Sequence, residues 1–177
     1  MRIQIAGVAL LAVLGMAGQA HADNGYLKIV GAKQGELKGS VTAPKTWAGQ
    51  SEVVAIDWGV SQPVSTGVAI ARRQHDPLTL TLRWTKTTPQ LLQAATTNET
   101  LTSVVYSDVV PGSDGVDQLR HTIQLTNARV TAIKVIDKNG NDYGVEPLVV
   151  VSFAYQKMTM TEVDGGISGE DDWVQAP

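Results

Sequence analysis

Cysteine is absent from this sequence, and aromatic residues make up only 5% of it. A chain without thiols has no disulfides, no thiolate zinc site, no iron–sulfur cluster and no cysteine nucleophile. Histidine is also scarce, with three residues in the whole chain, so a histidine-rich metal site is not expected. We therefore predict a protein with no metal and no cofactor, whose core is large enough to be stable without cross-links.

Basic residues are missing from the C-terminal end, because no lysine or arginine follows Lys157. The acidic residues beyond that point are Glu162, Asp164, Glu170, Asp171 and Asp172. We predict that residues 161–177 form a flexible, solvated tail, and a docking peptide is the alternative. The rest of the chain is nearly neutral and lacks the basic face of a nucleic-acid-binding protein, so nucleic acid is not expected as a partner.

One long apolar run occurs, at Ile5–Ala17, and no later stretch is long enough for a membrane helix. A basic residue precedes the run, and Ala20 and Ala22 follow it in the small-x-small pattern of a cleaved export signal. The run is also shorter than the roughly 20 residues that span a bilayer. We predict that residues 1–22 are a signal peptide and that the mature protein begins at Asp23, periplasmic or secreted and without stable membrane insertion. A buried N-terminal helix is the alternative.

Alternating hydrophobicity predicts an all-β domain. In Leu78–Trp84 the apolar residues alternate with threonine and arginine, as in a strand with one buried and one solvated face. Further strand candidates, several of them rich in β-branched residues, are 27–32, 51–59, 103–109, 122–127, 130–136 and 148–160. Asn139-Gly140 predicts a tight hairpin turn. Pro89–Thr97 differs, because its apolar residues have helical spacing, and we expect one short helix there.

Two strand candidates are apolar on both faces, Glu52–Trp58 and Leu148–Tyr155. The second contains Val149, Val150 and Val151 in a row, which indicates that both of its faces are covered. Either the short helix or a neighbouring subunit could provide the cover. One short helix is too small for two such strands, so the pattern favours oligomerisation.

Candidate chemistry is sparse. No Gly-x-Ser-x-Gly nucleophile elbow is present, and only His75 and His121 could act as the base of a serine hydrolase. Asp137–Asp142 has part of the spacing of a calcium loop, but its glycine is displaced and no closing glutamate follows, so a hairpin turn explains it better. Among the tryptophans, Trp58 and Trp84 are predicted to lie in the core. Trp47 follows a turn and is predicted to be exposed, where it could contact a partner.

The order of these segments resembles the Hcp (haemolysin-coregulated protein) family, the tube protein of type VI secretion. The most specific matching pieces are Trp58-Gly59-Val60-Ser61 with Pro63, Lys86 with Pro89-Gln90-Leu91-Leu92, and a final strand with Phe153, Tyr155 and Lys157. The resemblance runs from about Tyr26 to Met160. It implies a small antiparallel β-barrel with one flanking helix over residues 23–160. It also implies that six copies close into a ring, that rings stack into a tube, and that the lumen holds small effector proteins.

The resemblance also suggests which residues make contacts between subunits. Residues 61–76 correspond to the extended loop that contacts neighbouring rings, where Arg72, Arg73 and His75 could make polar contacts; a mobile surface loop is the alternative. The doubly apolar strands are where a ring contact is expected, with Val149–Val151 as its candidate residues.

The predicted function is that of a non-catalytic, self-assembling, exported protein related to the type VI tube, with itself, small effectors and other secretion components as partners. An export signal is a departure from the family, whose tube proteins are loaded from the cytoplasm. Two alternatives follow from it. The protein could be a secreted or periplasmic binding module that uses Trp47 and the 61–76 loop. It could also be an ordinary tube subunit or effector carrier if the signal is not cleaved.

Overall fold

The secondary structure of the chain is mostly antiparallel β with one short α-helix, as the alternating sequence pattern predicts. The computed structural model describes residues 24–69, 73–112, 116–137 and 146–174. Three predictions lie outside these residues: the signal peptide with its cleavage site, the contact of Arg72, and the turn at Asn139-Gly140. Within the described ranges, no helix combines the length and the apolar character that crossing a membrane requires.

The strands of the described residues are β1 (Asn24–Gly31), β2 (Gly35–Leu37), β3 (Ser51–Asp57), β4 (Val60–Ser61), β5 (Val64–Ser65), β6 (Val68–Ala69), β7 (Gln74–His75), β8 (Leu78–Arg83), β9 (Leu101–Pro111), β10 (Asp117–Ile136), β11 (Leu148–Ala154), β12 (Lys157–Glu162) and β13 (Ile167–Asp172). The helices are a 3-10 turn (Lys45–Trp47) and α1 (Thr87–Thr96).

A closed circle of strand pairs runs β1–β3–β8–β11–β10–β9 and returns to β1, so these strands form a small antiparallel barrel. The circle closes because β10 is 20 residues long. Its first part pairs with β9 and β12, and its last part pairs with β11. β13 continues the sheet beyond β12. The predicted fold class is confirmed.

Two of the predicted strand boundaries are wrong. Segments 122–127 and 130–136 form one strand, β10, because Asn127 makes a local irregularity in it instead of a turn, with a φ of 51°. Asparagine adopts this left-handed conformation more readily than most residues. Conversely, segment 148–160 divides into β11 and β12 at Tyr155-Gln156, because the two halves pair with different parts of β10.

The core is filled by alternate residues of the barrel strands and by one side of α1. The fully buried strand residues include Leu78, Leu80, Val104, Leu125, Val149, Val151 and Phe153. From the helix, Leu91 and Ala94 are buried against the barrel. The helix begins at Thr87, earlier than the predicted Pro89, and the Thr87 hydroxyl lies 2.6 Å from that of Ser51 on β3. This buried contact fixes the first turn of the helix to the barrel wall.

The C-terminal segment does not form the predicted flexible tail. Residues Ile167–Asp172 form β13, which pairs with β12 over its whole length. Two acidic side chains of this strand have basic partners in the chain: Lys157 lies 2.8 Å from Glu170, and Arg73 binds Asp171. The acidic segment is therefore ordered by upstream cations, whose position the local composition does not reveal.

Candidate assembly surface

β3 carries two branched apolar side chains that are open to solvent. Val53 is buried in the barrel, whereas Val54 is 48% exposed and Ile56 is 38% exposed. The pairing of β3 with β8 shifts register between Val53 and Ala55, and such a bulge re-aims the side chains that follow it. Val54, the extra residue of the bulge, lies on the outer face, whereas Ile56 pairs with the buried Leu80 and lies on the inner face, at the open part of the barrel. A neighbouring molecule could bury both side chains.

β11 contributes less outer surface than its run of valines suggests. Val149 and Val151 are fully buried in the barrel, and only Val150 lies on the other face, where it is half-buried. Successive side chains of a strand point to opposite faces. Of the three valines predicted as contact residues, Val149 and Val151 are therefore core residues, and Val150 alone remains available for a contact.

Next to β3 lies an open apolar cleft with a volume of about 570 Å³. Its floor is a cross-strand row in which Tyr106 on β9, Ile123 on β10 and Met160 on β12 are direct neighbours. Ile56 of β3 and Ile167 of β13 complete the apolar lining. The cleft thus opens from the inner face of the barrel sheet, where Ile56 pairs with the buried Leu80, and Val54 lies nearby on β3.

A charged row follows the apolar row at the rim of this cleft. His121 on β10 lies between two carboxylates on neighbouring strands, with Nδ1 2.9 Å from Asp108 Oδ2 and Nε2 2.6 Å from Glu162 Oε2. Arg120 also binds Asp108, at 3.0 Å. Since both imidazole nitrogens face carboxylates, His121 holds three strands together and presents no free nitrogen to a serine hydroxyl.

The loop between β3 and β8 turns its polar side chains toward the C-terminal strand. The Arg73 guanidinium donates hydrogen bonds to both carboxylate oxygens of Asp171. The His75 Nε2 lies 2.6 Å from Asp171 Oδ2, and its Nδ1 lies 3.2 Å from the Tyr155 hydroxyl. Tyr155 in turn accepts a hydrogen bond of 2.6 Å from the Trp58 indole. These contacts connect the loop, the bend between β11 and β12, and β13.

This cluster perturbs the acid–base behaviour of its members. The hydrogen bonds from Arg73 hold the pKa of Asp171 below its usual range, and the nearby His75 acts in the same direction while partial burial opposes them. Burial raises the pKa of the Tyr155 hydroxyl. Asp171 is thus ionised at neutral pH and accepts the hydrogen bonds of Arg73, with the His75 ring close beside it.

The prediction that Arg73 and His75 serve as outward contacts does not agree with this geometry. The side chain of His75 is only 4% exposed, and both of its nitrogens face partners in the same chain. Arg73 is partly exposed, but its guanidinium is occupied by Asp171. A ring-to-ring contact through His75 would first have to separate it from Asp171 and Tyr155, whereas a contact through Arg73 stays a prediction.

The tryptophan predictions are wrong for two residues. Trp47 is 9% exposed, and its ring stacks on Tyr26 with centroids 5.1 Å apart and planes 4° from parallel. The 3-10 turn folds Trp47 back over β1, so this side chain stabilises the fold and is not free for a partner. Trp84 is 45% exposed, because β8 ends at Arg83 and the next residue leaves the barrel.

Glu99 is a buried residue that the sequence analysis did not single out. Its side-chain oxygens accept hydrogen bonds from the backbone N–H groups of Lys33 (2.6 Å) and Gln34 (2.8 Å) and from the Gln34 side chain (2.8 Å). Burial by itself would raise the pKa of Glu99, but these donors outweigh it and hold the pKa below its usual range. Glu99 therefore fixes the turn between β1 and β2 to the end of α1.

The described surface carries exposed apolar side chains and an apolar cleft that another molecule could bury. Among the described residues, no group of three or more histidine and acidic side chains converges as a metal site would. Sequence reasoning did not predict which charged residues pair: His121 meets Asp108 and Glu162, and Asp171 meets Arg73, all across segments that are apart in the chain. Complementary charge offered one signal, because a basic segment at residues 72–75 could have been matched with the acidic segment at 170–172.

Comparison with known proteins identifies relatives over nearly the whole described chain. The profile of the family described as "Type VI secretion system effector, Hcp" matches residues 26–161. The "Major exported protein" of Pseudomonas aeruginosa is 29% identical, over 84% of this chain and 94% of its own length.

Solved structures agree with this match. A double mutant of the Hcp1 protein of E. coli EAEC 042 is 27% identical, with a TM-score of 0.77 over 86% of this chain and 99% of that one. The secreted protein Hcp3 of Pseudomonas aeruginosa is 28% identical, with a TM-score of 0.69 over 86% of this chain and 99% of that one.

Proposed function

The chain belongs to the Hcp family of type VI secretion proteins, and on this premise we propose that it is exported through its N-terminal signal and closes into a homohexameric ring. Members of the family are structural tube proteins, so the chain has a non-catalytic, self-assembling role and is not an enzyme. Small effector proteins in the ring lumen and other secretion components are the further partners of this proposal.

The observation that carries the ring proposal is the apolar surface of β3 and the adjoining cleft. Val54 and Ile56 are exposed, and the cleft beside them is lined by Tyr106, Ile123 and Met160. Exposed apolar patches on a protein surface commonly mark sites of interaction with another molecule. A head-to-tail contact, in which this surface of one copy meets a different surface of the next, closes into a ring when the rotation between copies allows it.

The export proposal concerns residues 1–22, which lie before the family match. The match begins at residue 26, so the apolar run and its small-x-small pattern precede the barrel domain and can act separately from it. A cleaved signal would place the ring outside the cytoplasm, in the periplasm or the medium. An uncleaved segment would instead return the protein to the role of an ordinary tube subunit.

The binding-module alternative has less support than the ring. Trp47, its proposed contact residue, is stacked on Tyr26 and buried. The polar residues Arg73 and His75 of the 61–76 loop are paired within the chain. No specific observation therefore favours this second function.

The test is the native mass of the protein recovered from the cell envelope and the culture medium, with its N-terminus read from the same sample. We expect six copies that begin at Asp23. The variant Ile56→Asp should be monomeric with an unchanged circular dichroism spectrum, because the side chain is already exposed in the monomer. The control Leu92→Asp changes a residue on α1 that is 52% exposed, against 38% for Ile56, and that lies outside the cleft; this variant should remain hexameric.

Each part of the proposal can fail separately. A wild-type protein that remains monomeric at high concentration would contradict the ring. An Ile56→Asp variant that stays hexameric would contradict the assignment of this surface to the subunit interface, but not ring formation itself. A chain that still begins at Met1 would contradict export through the signal.

A further inference from the structure

β13 is an edge strand of the sheet. It pairs with β12 and with no other described strand, and most of its side chains are exposed, including Ile167 at 70%. Gly165 and Gly166, both with positive φ, form the turn that leads into it. A strand with so few apolar contacts opens locally at low cost unless specific side chains hold it.

Asp171 is the residue that fastens this strand to the barrel. It binds the Arg73 guanidinium through both carboxylate oxygens and lies 2.6 Å from His75 Nε2. The ring of Trp173 packs on the other side of His75, with centroids 4.7 Å apart. These contacts join the end of β13 to the loop before β8, whereas the Lys157–Glu170 pair only connects β12 with β13.

An apolar groove lies beneath the fastened end of the strand. It has a volume of about 310 Å³. Its lining consists of the apolar residues Trp58, Val60, Met158 and Met160, of Arg73 and His75, and of Gly169, Glu170 and Asp171 of β13. Met160 also lines the larger cleft, so the two cavities are neighbours. Moving β13 away would unite them and expose Met158, which is buried in the closed form.

We propose that β13 is a latch, held closed by Asp171 on Arg73 and His75, that covers this groove and opens without unfolding the barrel. The latch does not depend on ring formation. Its strength lies in charge-assisted hydrogen bonds, which are roughly twice as strong as neutral ones. Removing the charge of either Asp171 or Arg73 should therefore open the strand while the core strands stay paired.

The experiment is hydrogen exchange by mass spectrometry on the intact protein, comparing peptides of β13 with peptides of β8 at one protein concentration. Asp171→Asn and Arg73→Gln should each accelerate exchange in β13 by about tenfold or more, because hydrogen bonds to a charged group are lost. Exchange in β8 should not change. The matched control is Glu52→Gln, which removes a carboxylate from another arginine, Arg83, at an exposed pair; it should leave β13 as in the wild type.

A second readout is the fluorescence of the apolar dye 8-anilinonaphthalene-1-sulfonate, which should rise in both latch variants as the groove opens. The double variant should exchange no faster than Asp171→Asn alone, since the two residues share one interaction. Exchange in β13 within twofold of the wild type in both single variants would overturn the proposal. Equal acceleration in β13 and β8 would also overturn it, because the change would then be global destabilisation.

Discussion

Replacing Glu99 by glutamine tests whether one buried carboxylate fixes the junction of β1, β2 and α1. Glu99 is 2% exposed and accepts hydrogen bonds from two backbone N–H groups and one side-chain amide. Glutamine keeps the shape but loses the charge, and its NH₂ group faces the amide of Gln34. A hydrogen bond to a charged group contributes about 1.5–3 kcal/mol and a neutral one about 1 kcal/mol. Weakening two bonds and losing the third should therefore lower the free energy of unfolding by about 2–4 kcal/mol.

The assay is urea unfolding followed by tryptophan fluorescence, at one fixed protein concentration because self-association would stabilise the folded state. The control is Glu36→Gln, which weakens exposed pairs with Lys38 and Lys28 and should change stability much less. If Glu99→Gln and Glu36→Gln lower the free energy of unfolding by the same amount, the hydrogen bonds of Glu99 do not hold the junction of β1, β2 and α1.

The same carboxylate gives a pH dependence of known sign. The pKa of Glu99 is lower in the folded protein than its usual value, so its contribution is fully present above the unfolded pKa of about 4.3. It is lost as the pH falls below that value through the folded pKa. The difference in stability between wild type and Glu99→Gln should therefore be constant near neutrality and should shrink in acid. A difference that stays constant down to pH 2 would refute the reasoning.

Three further substitutions test close packing in the fold, one of them at Trp47, the predicted contact residue. Trp47→Ala should lower the free energy of unfolding by about 3 kcal/mol, because the ring stacks on Tyr26 in the core. Urea unfolding measures this change. An unchanged urea midpoint would mean that burial of the Trp47 ring does not stabilise the fold. Gly39→Ala should destabilise the protein strongly, since the new Cβ would overlap the backbone carbonyl of Gln50, whereas Gly169→Ala meets no atom within 4 Å and should be neutral. Similar melting temperatures for the two glycine variants would contradict the close packing at Gly39.

The elements that sequence analysis predicted best are those determined by local alternation. β8 shows strict period two in both sequence and burial, with Leu78, Leu80 and Leu82 inside the barrel. The helix is also local, since its apolar residues have helical spacing and proline lies in its first turn. Its start was less predictable, because the buried hydroxyl contact between Thr87 and Ser51 joins residues 36 positions apart.

The features that sequence analysis missed depend on contacts between distant segments. The acidic end has the composition of a disordered tail, but Arg73, 98 residues upstream of Asp171, turns it into part of the sheet. Trp47 follows a turn and would be exposed in isolation, but Tyr26 offers a flat ring for it to cover. Val149, Val150 and Val151 are the same residue type. Only the face of the strand separates the two core valines from Val150.

Ring formation and the latch involve neighbouring surfaces of the barrel, of which one is open and the other is closed. The ring proposal requires the apolar surface around Ile56 to be open, whereas the groove under β13 is closed by Asp171 and its partners. Ile167 belongs to both regions, because it lines the open cleft and also begins the latch strand. A neighbouring subunit that buries Ile167 would stabilise the closed position of β13, because Ile167 lies in the cleft only while β13 is paired with β12. Ring formation should therefore slow hydrogen exchange in β13 beyond its rate in the monomeric Ile56→Asp variant, and it should do so even where exchange in the core strands is unchanged.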